Sequence, residues 1–309
     1  MKHLRWTFLL FSLSMANAVV AQLPVGSPLV SSNQDIGKPG VSMSVSGQAW
    51  AIGHSYDSAP HHWGGSPGTA PAGVVRVYDW SGTQFTLKGS PIDSVLVGQY
   101  NNHSHVLIDP QTLSVSKRSP NGIEVVVYDW DGSDWVERPD KVPNAAVWHM
   151  GHENTIAAAL PSIPPFPPTT VIVSEWNGSV WTTKGNPINP GLQYGNFGSR
   201  LFMPHENMVA IAANGYDQRR GRVSIFYWAG FQWQQRGLSI EGNLPSDRFG
   251  SDLYMPDGNT IAIGSTGSDA GGTDRGSISV FDWNGQVWMP RGNPILGGTN
   301  TCDIGWGFQ

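Results

Sequence analysis

Five times the chain repeats one short phrase. A β-branched run leads to an aromatic residue and then to Trp-x-Gly-x-x-Trp, with Phe closing the first copy; most copies continue with a basic residue and Gly-x-Pro-Ile. The copies centre on Trp80, Trp130, Trp176, Trp228 and Trp283, spaced 50, 46, 52 and 55 residues apart. A period near 50 built of strands and turns denotes an array of small sheets that bury their faces on one another, not one large core. The 38 glycines and 23 prolines are the punctuation that many short strands and tight turns require.

The fifth copy is the clearest. Asn284-Gly285 separates Gly276–Trp283 from Gln286–Trp288, and Asn-Gly between β-rich runs signals a two-residue hairpin turn. That turn would set Trp283 opposite Gln286 and Phe281 opposite Trp288. Phe281, Trp283 and Trp288 then share one face. The triad recurs as Tyr78/Trp80/Phe85, Tyr128/Trp130/Trp135 and Phe226/Trp228/Trp233, while the third copy keeps Trp176 and Trp181 behind Ser174. The opposite face carries Val77, Val127, Ile225, Val280 and Val287. A hairpin apolar on both faces must lie between neighbours, and the blades of a β-propeller meet that requirement. Nine of the fourteen tryptophans fall in the phrase. They are expected to form the core of the repeat between blades, the alternative being a stacking platform for sugars.

Ahead of each hairpin stands a strand, a polar turn and a second apolar strand. Ser251–Gly264 is the best copy, echoed by Arg200–Ala212, His149–Ala158 and Val41–Gly53. Four strands per unit place the repeats at about 36–92, 93–142, 143–188, 189–240 and 241–296. The second is the most degraded, with Leu107–Val115 where an Ala-Ile-Gly strand is expected. Residues 22–29 read as the tail of a strand, and 297–309, with Asp303-Ile304-Gly305-Trp306-Gly307, as the start of a further repeat. The expected fold is therefore an all-β propeller of four-stranded blades. About five blades are present, as part of a six- or seven-bladed ring or as a five-bladed ring closed by its N-terminal strand.

These residues resemble the FG-GAP-like propeller repeats of the integrin α N-terminal type, and most of all their secreted bacterial arrays, of the kind common in Bacteroidota. Phe197-Gly198 and Phe249-Gly250 match the Phe-Gly element. Ala51-Ile52-Gly53 and Ala262-Ile263-Gly264 match the Gly-Ala-Pro strand. The resemblance implies the propeller architecture over residues ~26–309 and bears only weakly on activity. The Asp-x-Asp-x-Asp-Gly calcium loop of that family appears in no unit, so calcium is not carried over.

Residues 1–21 read as a signal peptide. Lys2, His3 and Arg5 precede an apolar stretch, Trp6–Met15, that is too short to span a bilayer, and Ala16-Asn17-Ala18 or Val19-Val20-Ala21 suits cleavage. No other segment reads as transmembrane. Cys302 is the single cysteine, so no internal disulfide forms. A net charge of −5 without a basic stripe excludes a nucleic-acid footprint.

Motifs for nucleophilic, phosphate-binding and dinucleotide chemistry are absent. Asp57, Asp217 and Asp269 occupy equivalent loops; each is expected to cap its own turn, with weak calcium ligation the alternative. His54, Asp57, His61 and His62 crowd one loop, either solvated or zinc-binding. His103/His105 and His149/His152 are weaker candidates. Pro161–Pro168 reads as a stiff connection or a polyproline ligand. No catalytic residue or cofactor is assigned. The expected function is an exported or outer-surface, non-catalytic propeller for adhesion, scaffolding or binding of an extracellular protein or glycan. Its contacts would come from the loops Ser55–Gly73, Ser116–Gly122, Pro161–Thr170 and Ala213–Gly221. The alternative is a carbohydrate-active enzyme using channel carboxylates such as Asp109 and Asp252.

Overall fold

The computed structural model describes residues 40–43, 48–55, 73–95, 105–120, 122–145, 147–160, 170–189 and 195–298. The signal-peptide region, Asp57, His61, His62, His103, Pro161–Pro168 and Cys302 lie outside them.

Five antiparallel sheets follow one another along the chain. The first holds β1 (Gly40–Met43), β2 (Ala49–Ser55), β3 (Gly73–Trp80) and β4 (Phe85–Leu87), with β5 (Ile92–Val95) returning onto β3. The second holds β6 (His105–Asp109), β7 (Thr112–Ser119), β8 (Gly122–Trp130) and β9 (Trp135–Glu137). The third holds β10 (Val147–His152), β11 (Thr155–Leu160), β12 (Thr170–Trp176) and β13 (Trp181–Thr183). The fourth holds β14 (Phe197–His205), β15 (Met208–Ala213), β16 (Arg222–Trp228) and β17 (Trp233–Gln235), with β18 (Ile240–Glu241) on β16. The fifth holds β19 (Phe249–Asp257), β20 (Thr260–Ser265), β21 (Ser277–Trp283) and β22 (Trp288–Pro290), with β23 (Ile295–Leu296) on β21. The innermost strands β1, β6, β10, β14 and β19 are neighbours in chain order.

Each of the first four sheets buries a leading face on the sheet that follows. Val75, Val77 and Ile92 of the first meet Leu113, Val115, Val126 and Trp135 of the second. Val125, Val127 and Val142 of the second meet Trp148, Met150 and Ile156 of the third. Val171, Val173 and Ile188 meet Leu201, Met203 and Ile211, and Val223, Ile225 and Ile240 meet Leu253, Met255 and Ile263. Phe197 and Phe249 lie in the last two of these cores. Gly198 and Gly250 follow them at φ +84° and +85°, where an added Cβ would stand 2.7 and 2.9 Å from Ala159 and Ala212 of the preceding sheet. The Phe-Gly element is thus a lock between sheets: an aromatic plug, then a glycine whose positive φ and missing Cβ permit the approach.

The hairpin register differs from the two-residue turn expected of Asn284-Gly285. Trp283 pairs with Trp288, and Phe281 with Pro290, across a four-residue connection. Asn284 N–H bonds the Val287 carbonyl, while the Asn284 side chain accepts the Gln286 and Val287 N–H groups. An Asx turn therefore displaces the tight hairpin, and Val287 sits exposed in the connection rather than on a buried face. The same pairing joins Trp80/Phe85, Trp130/Trp135, Trp176/Trp181 and Trp228/Trp233. The second unit also departs from expectation: residues 107–115 run through β6, a turn and β7, and β7 and β8 flank a connection far shorter than Ser116–Gly122.

The basic residue of the phrase reaches the next sheet. Lys88 stands 5.0 Å from the Trp130 ring, Arg138 5.2 Å from Trp176, Lys184 5.6 Å from Trp228 and Arg236 4.8 Å from Trp283. Their backbone carbonyls complete the seam. Trp135, Trp233 and Trp288 donate their indole N–H to Lys88, Lys184 and Arg236 at 2.9, 2.8 and 3.0 Å. The following glycines (Gly89, Gly185, Gly237) have φ of +72°, +74° and +76°, and an added Cβ would strike the first indole of the next sheet at 2.4–2.7 Å. Lys88, Lys184 and Arg236 also reach the first turn of the next sheet, Lys88 through the Pro110 carbonyl. Lys184 bonds the Glu206 carbonyl at 3.1 Å and Asn207 Oδ1 at 3.0 Å; Arg236 bonds the Gly258 carbonyl and, at 2.9 Å, Asn259 Oδ1. Asp79, Asp129 and Glu175 hold Lys88, Arg138 and Lys184 from within their own sheets.

The second seam carries Pro139 where the others carry glycine. Proline cannot adopt the positive φ, and buried Trp181 Nε1 is left without a hydrogen-bond partner. Asp140 instead accepts the Trp181 backbone N–H at 2.8 Å. Trp→Phe at 135, 233 or 288 should therefore cost about 0.5–1.5 kcal/mol for the lost indole bond. Trp181→Phe should be neutral or stabilising by comparison, as urea unfolding of the four variants would show.

Asp134 ties the first two sheets. It accepts the Ser90 N–H at 2.7 Å, the Ser90 hydroxyl at 2.8 Å and the Trp135 N–H at 2.9 Å. The Ser90 N–H foremost, then that of Trp135, holds its carboxyl below the usual range. A depressed carboxyl stabilises the fold above its unfolded value of about 3.9 and loses that contribution as pH falls through the folded value. Asp134→Asn should lower the urea midpoint at neutral pH, and its gap from the parent protein should narrow as the medium becomes more acid than about pH 4.

Candidate functional site

The strands alternate in direction, so the connections after β15 and β20 open at the same end of the array as the approach to β19. There residues 214–221, 242–248 and 266–276 interlock through backbone hydrogen bonds. Gly242, Ser246, Arg248 and Phe249 donate N–H to the carbonyls of Gly221, Gln218, Arg219 and Arg220 at 2.7–3.1 Å. Gly267 donates to Asp247 at 3.1 Å, and its Cα lies so near the Ser246 carbonyl that an added Cβ would sit 2.0 Å away. Asp217, Gln218 and Arg219 form a run at positive φ (43°, 57° and 64°), with Ser246 and Arg248 at 69° and 53°. Such backbone is costly for residues other than glycine and persists only where surroundings over-determine it.

The side chains of this end divide into paired and presented groups. Arg220 lies 2.5 Å from Asp217 and 3.7 Å from Glu241. Arg222 lies 2.7 Å from Glu241, bonds the Tyr216 hydroxyl and stacks 3.6 Å from its ring centroid. Asp247 is buried and accepts the Leu244 N–H at 2.8 Å. Gln218, Arg219 and Arg248 are exposed, and neither Arg219 nor Arg248 forms an ion pair among the described residues. The two arginines are joined through their backbones, Arg248 N–H to the Arg219 carbonyl at 2.7 Å. This rigid rim presents two guanidiniums with their neighbouring carboxylates already engaged. In the sequence only Gly215 and Gly221 mark the loop; a left-handed run of three non-glycine residues has no local signal.

Of the candidate carboxylates, Asp217 and Asp269 lie among the described residues, and each has a partner in its own loop. Asp217 is held by Arg220. Asp269 accepts the Asp274 N–H at 2.7 Å while its carbonyl accepts that of Gly272, so it closes its own turn. No group of three potential metal-binding side chains occurs among the described residues. The expected outcome is a melting temperature that calcium or EDTA leaves unchanged, and faster proteolysis within 266–276 after Asp269→Ala.

On the innermost strands, Arg200 and Asp252 are both buried, with Nε and Oδ1 3.9 Å apart, and burial pushes the Arg200 guanidinium down from its ordinary value. One step further along, His149, Phe202 and Tyr254 form a row, with ring centroids 4.4 and 5.4 Å apart. His149 Nδ1 accepts the Met203 N–H at 3.1 Å, which places the ring proton on Nε2. His152 Nδ1 accepts the Asn154 N–H in the β10–β11 turn, separate from His149. Asp109 closes the β6–β7 turn by accepting the Gln111 N–H at 2.6 Å, the register position that Asp257 holds in the fifth sheet. Asp252 stands five residues before Asp257, near the middle of its strand, an offset on the order of 15 Å at ~3.3 Å per residue. Asp109 and Asp252 therefore do not form the close carboxylate pair that glycoside hydrolysis uses.

No protein-family model matches the chain, and no curated protein does. Among solved structures, a prolyl endopeptidase aligns with 89% of the chain at TM-score 0.55 and 13% identity. The chain spans 38% of that protein's length. TolB from Acinetobacter baumannii aligns with 87% of the chain and 57% of its own at TM-score 0.47 and 10% identity. The β-propeller domain of the Trilobed protease from Pyrococcus furiosus aligns with 85% and 71% at TM-score 0.44 and 10% identity. The fold is a β-propeller. Its blades are the five sheets, and the innermost strands line its axis. No helix among the described residues is long and apolar enough to cross a membrane.

Proposed function

We propose that this propeller is an exported, non-catalytic module of the FG-GAP-like kind, related to secreted bacterial arrays, that serves adhesion, scaffolding or ligand binding at the cell exterior. One observation carries the reading: at the four seams the charged and aromatic side chains of the repeated phrase are engaged between blades. Lys88, Lys184 and Arg236 lie against the indoles and turns of the next blade, and Asp79 and Glu175 hold the two lysines. The tryptophans on this reading are repeat core, and recognition falls to the loop end. Residues 1–21 act as the signal peptide. The interlocked rim of blades four and five supplies a preorganised surface, and Arg219 and Arg248 suit an acidic extracellular protein or glycan.

The test is a glycan and extracellular-protein array probed with the intact protein, followed by Arg219→Ala/Arg248→Ala. Binding to acidic ligands, weakened at least tenfold by the double substitution and by added salt, is expected. Binding that survives both changes, or turnover of a polysaccharide by the protein, would refute the assignment.

A further inference from the structure

The seam between blades has a giving edge and a receiving edge. The giving edge is a cation followed by glycine (by Pro139 in the second seam), with a leading face of three β-branched side chains. The receiving edge is the aromatic pair with the apolar trailing face behind it. Four seams use four giving edges, and the fifth giving edge is open among the described residues. Ile295 is 58% exposed, whereas its counterparts Ile92, Val142, Ile188 and Ile240 are 5–8% exposed. Ile278 and Val280 are half-buried where their counterparts are fully covered. An added Cβ at Gly292 meets nothing within 4 Å, although at Gly89, Gly185 and Gly237 it would strike an indole. Arg291 is exposed and held by Asp282 through two bonds of 2.6 Å, as Asp129 holds Arg138. The corner is thus built as the others are, without its indoles.

The first blade carries a receiving edge in the same condition. Trp80 and Phe85 pair at 4.7 Å, and Trp50 meets Phe85 edge-on at 5.8 Å. Trp50, Ile52, Tyr78 and Phe85 are half-buried, whereas their counterparts in the second blade, Leu113, Val115, Tyr128 and Trp135, are buried. No cation among the described residues stands over Trp80. Blade one and blade five are not packed on each other as consecutive blades are.

From this complementarity we infer that the outer face of blade five is an interaction surface for a second copy of the chain, whose blade one docks on it. Arg291 takes the place of Lys88 over the partner's aromatic pair, and Gly292 lies against the indole. The contact is head-to-tail: the two surfaces differ, so each docking leaves one free edge of each kind. The inference does not rest on the proposed function, because it uses only the seams.

Sedimentation of the intact protein over a concentration series tests it. The weight-average mass should rise at least twofold. Gly292→Asn keeps a residue type that tolerates positive φ and places a side chain where the indole must lie; Phe85→Glu charges the opposite edge. Each variant alone should remain monomeric with an unchanged circular dichroism spectrum. An equimolar mixture should reach the dimer mass and stop there, since one intact edge of each kind remains. A parent protein that stays monomeric throughout would overturn the inference and leave the face to a segment of its own chain. Association that both variants retain would overturn it equally.

Discussion

The structure depends on a three-part seam in which a Lys or Arg of one blade lies over the indole pair of the next, its carbonyl accepts an indole N–H, and a left-handed glycine lets the ring come close. A four-stranded sheet apolar on both faces needs both of them covered. Seams turn it into a repeating solid. The apolar faces supply most of the free energy, but apolar faces slide. The directional contacts of the seam fix the rotation from one blade to the next.

The same device explains why the chain spends so many tryptophans. An indole offers a broad apolar body and one N–H, and a buried N–H requires a partner. The carbonyl beside a cation meets that need while the ring face receives the charge. The second seam shows the dependence from the other side. With Pro139 in the corner, both Trp181 Nε1 and Arg138 Nη1 are buried without partners. The seam still closes, through Arg138 over Trp176 and the bidentate Asp129–Arg138 pair. Packing tolerates the loss of one directional contact when the others remain.

The blade plan was legible because its signals are local and repeated. Period, Phe-Gly plugs and paired tryptophans all follow from residues within one unit. Three features were not. The Asn284-Gly285 dipeptide suggested a tight turn, but pairing of Trp283 with Trp288 required a wider connection, a tertiary preference that no dipeptide encodes. The role of the basic residue of the phrase has no local signal; the ring it meets lies about 40–50 residues on, so its role emerges only when two blades are side by side. The loop end was least legible of all. Asp217 and Asp269 occupy equivalent connections as expected, yet the left-handed run at Asp217–Arg219 and the presentation of Arg219 and Arg248 depend on hydrogen bonds from 242–249.

The seam itself is tested most directly by a double-mutant cycle on Arg236 and Trp283, whose charge and ring lie 4.8 Å apart across the fourth interface. Unfolding free energies of Arg236→Met, Trp283→Leu and the double variant should show a coupling of about 1 kcal/mol between the two changes. Additivity within about 0.3 kcal/mol would mean that the cation and the indole act independently, and that apolar packing alone sets the blades.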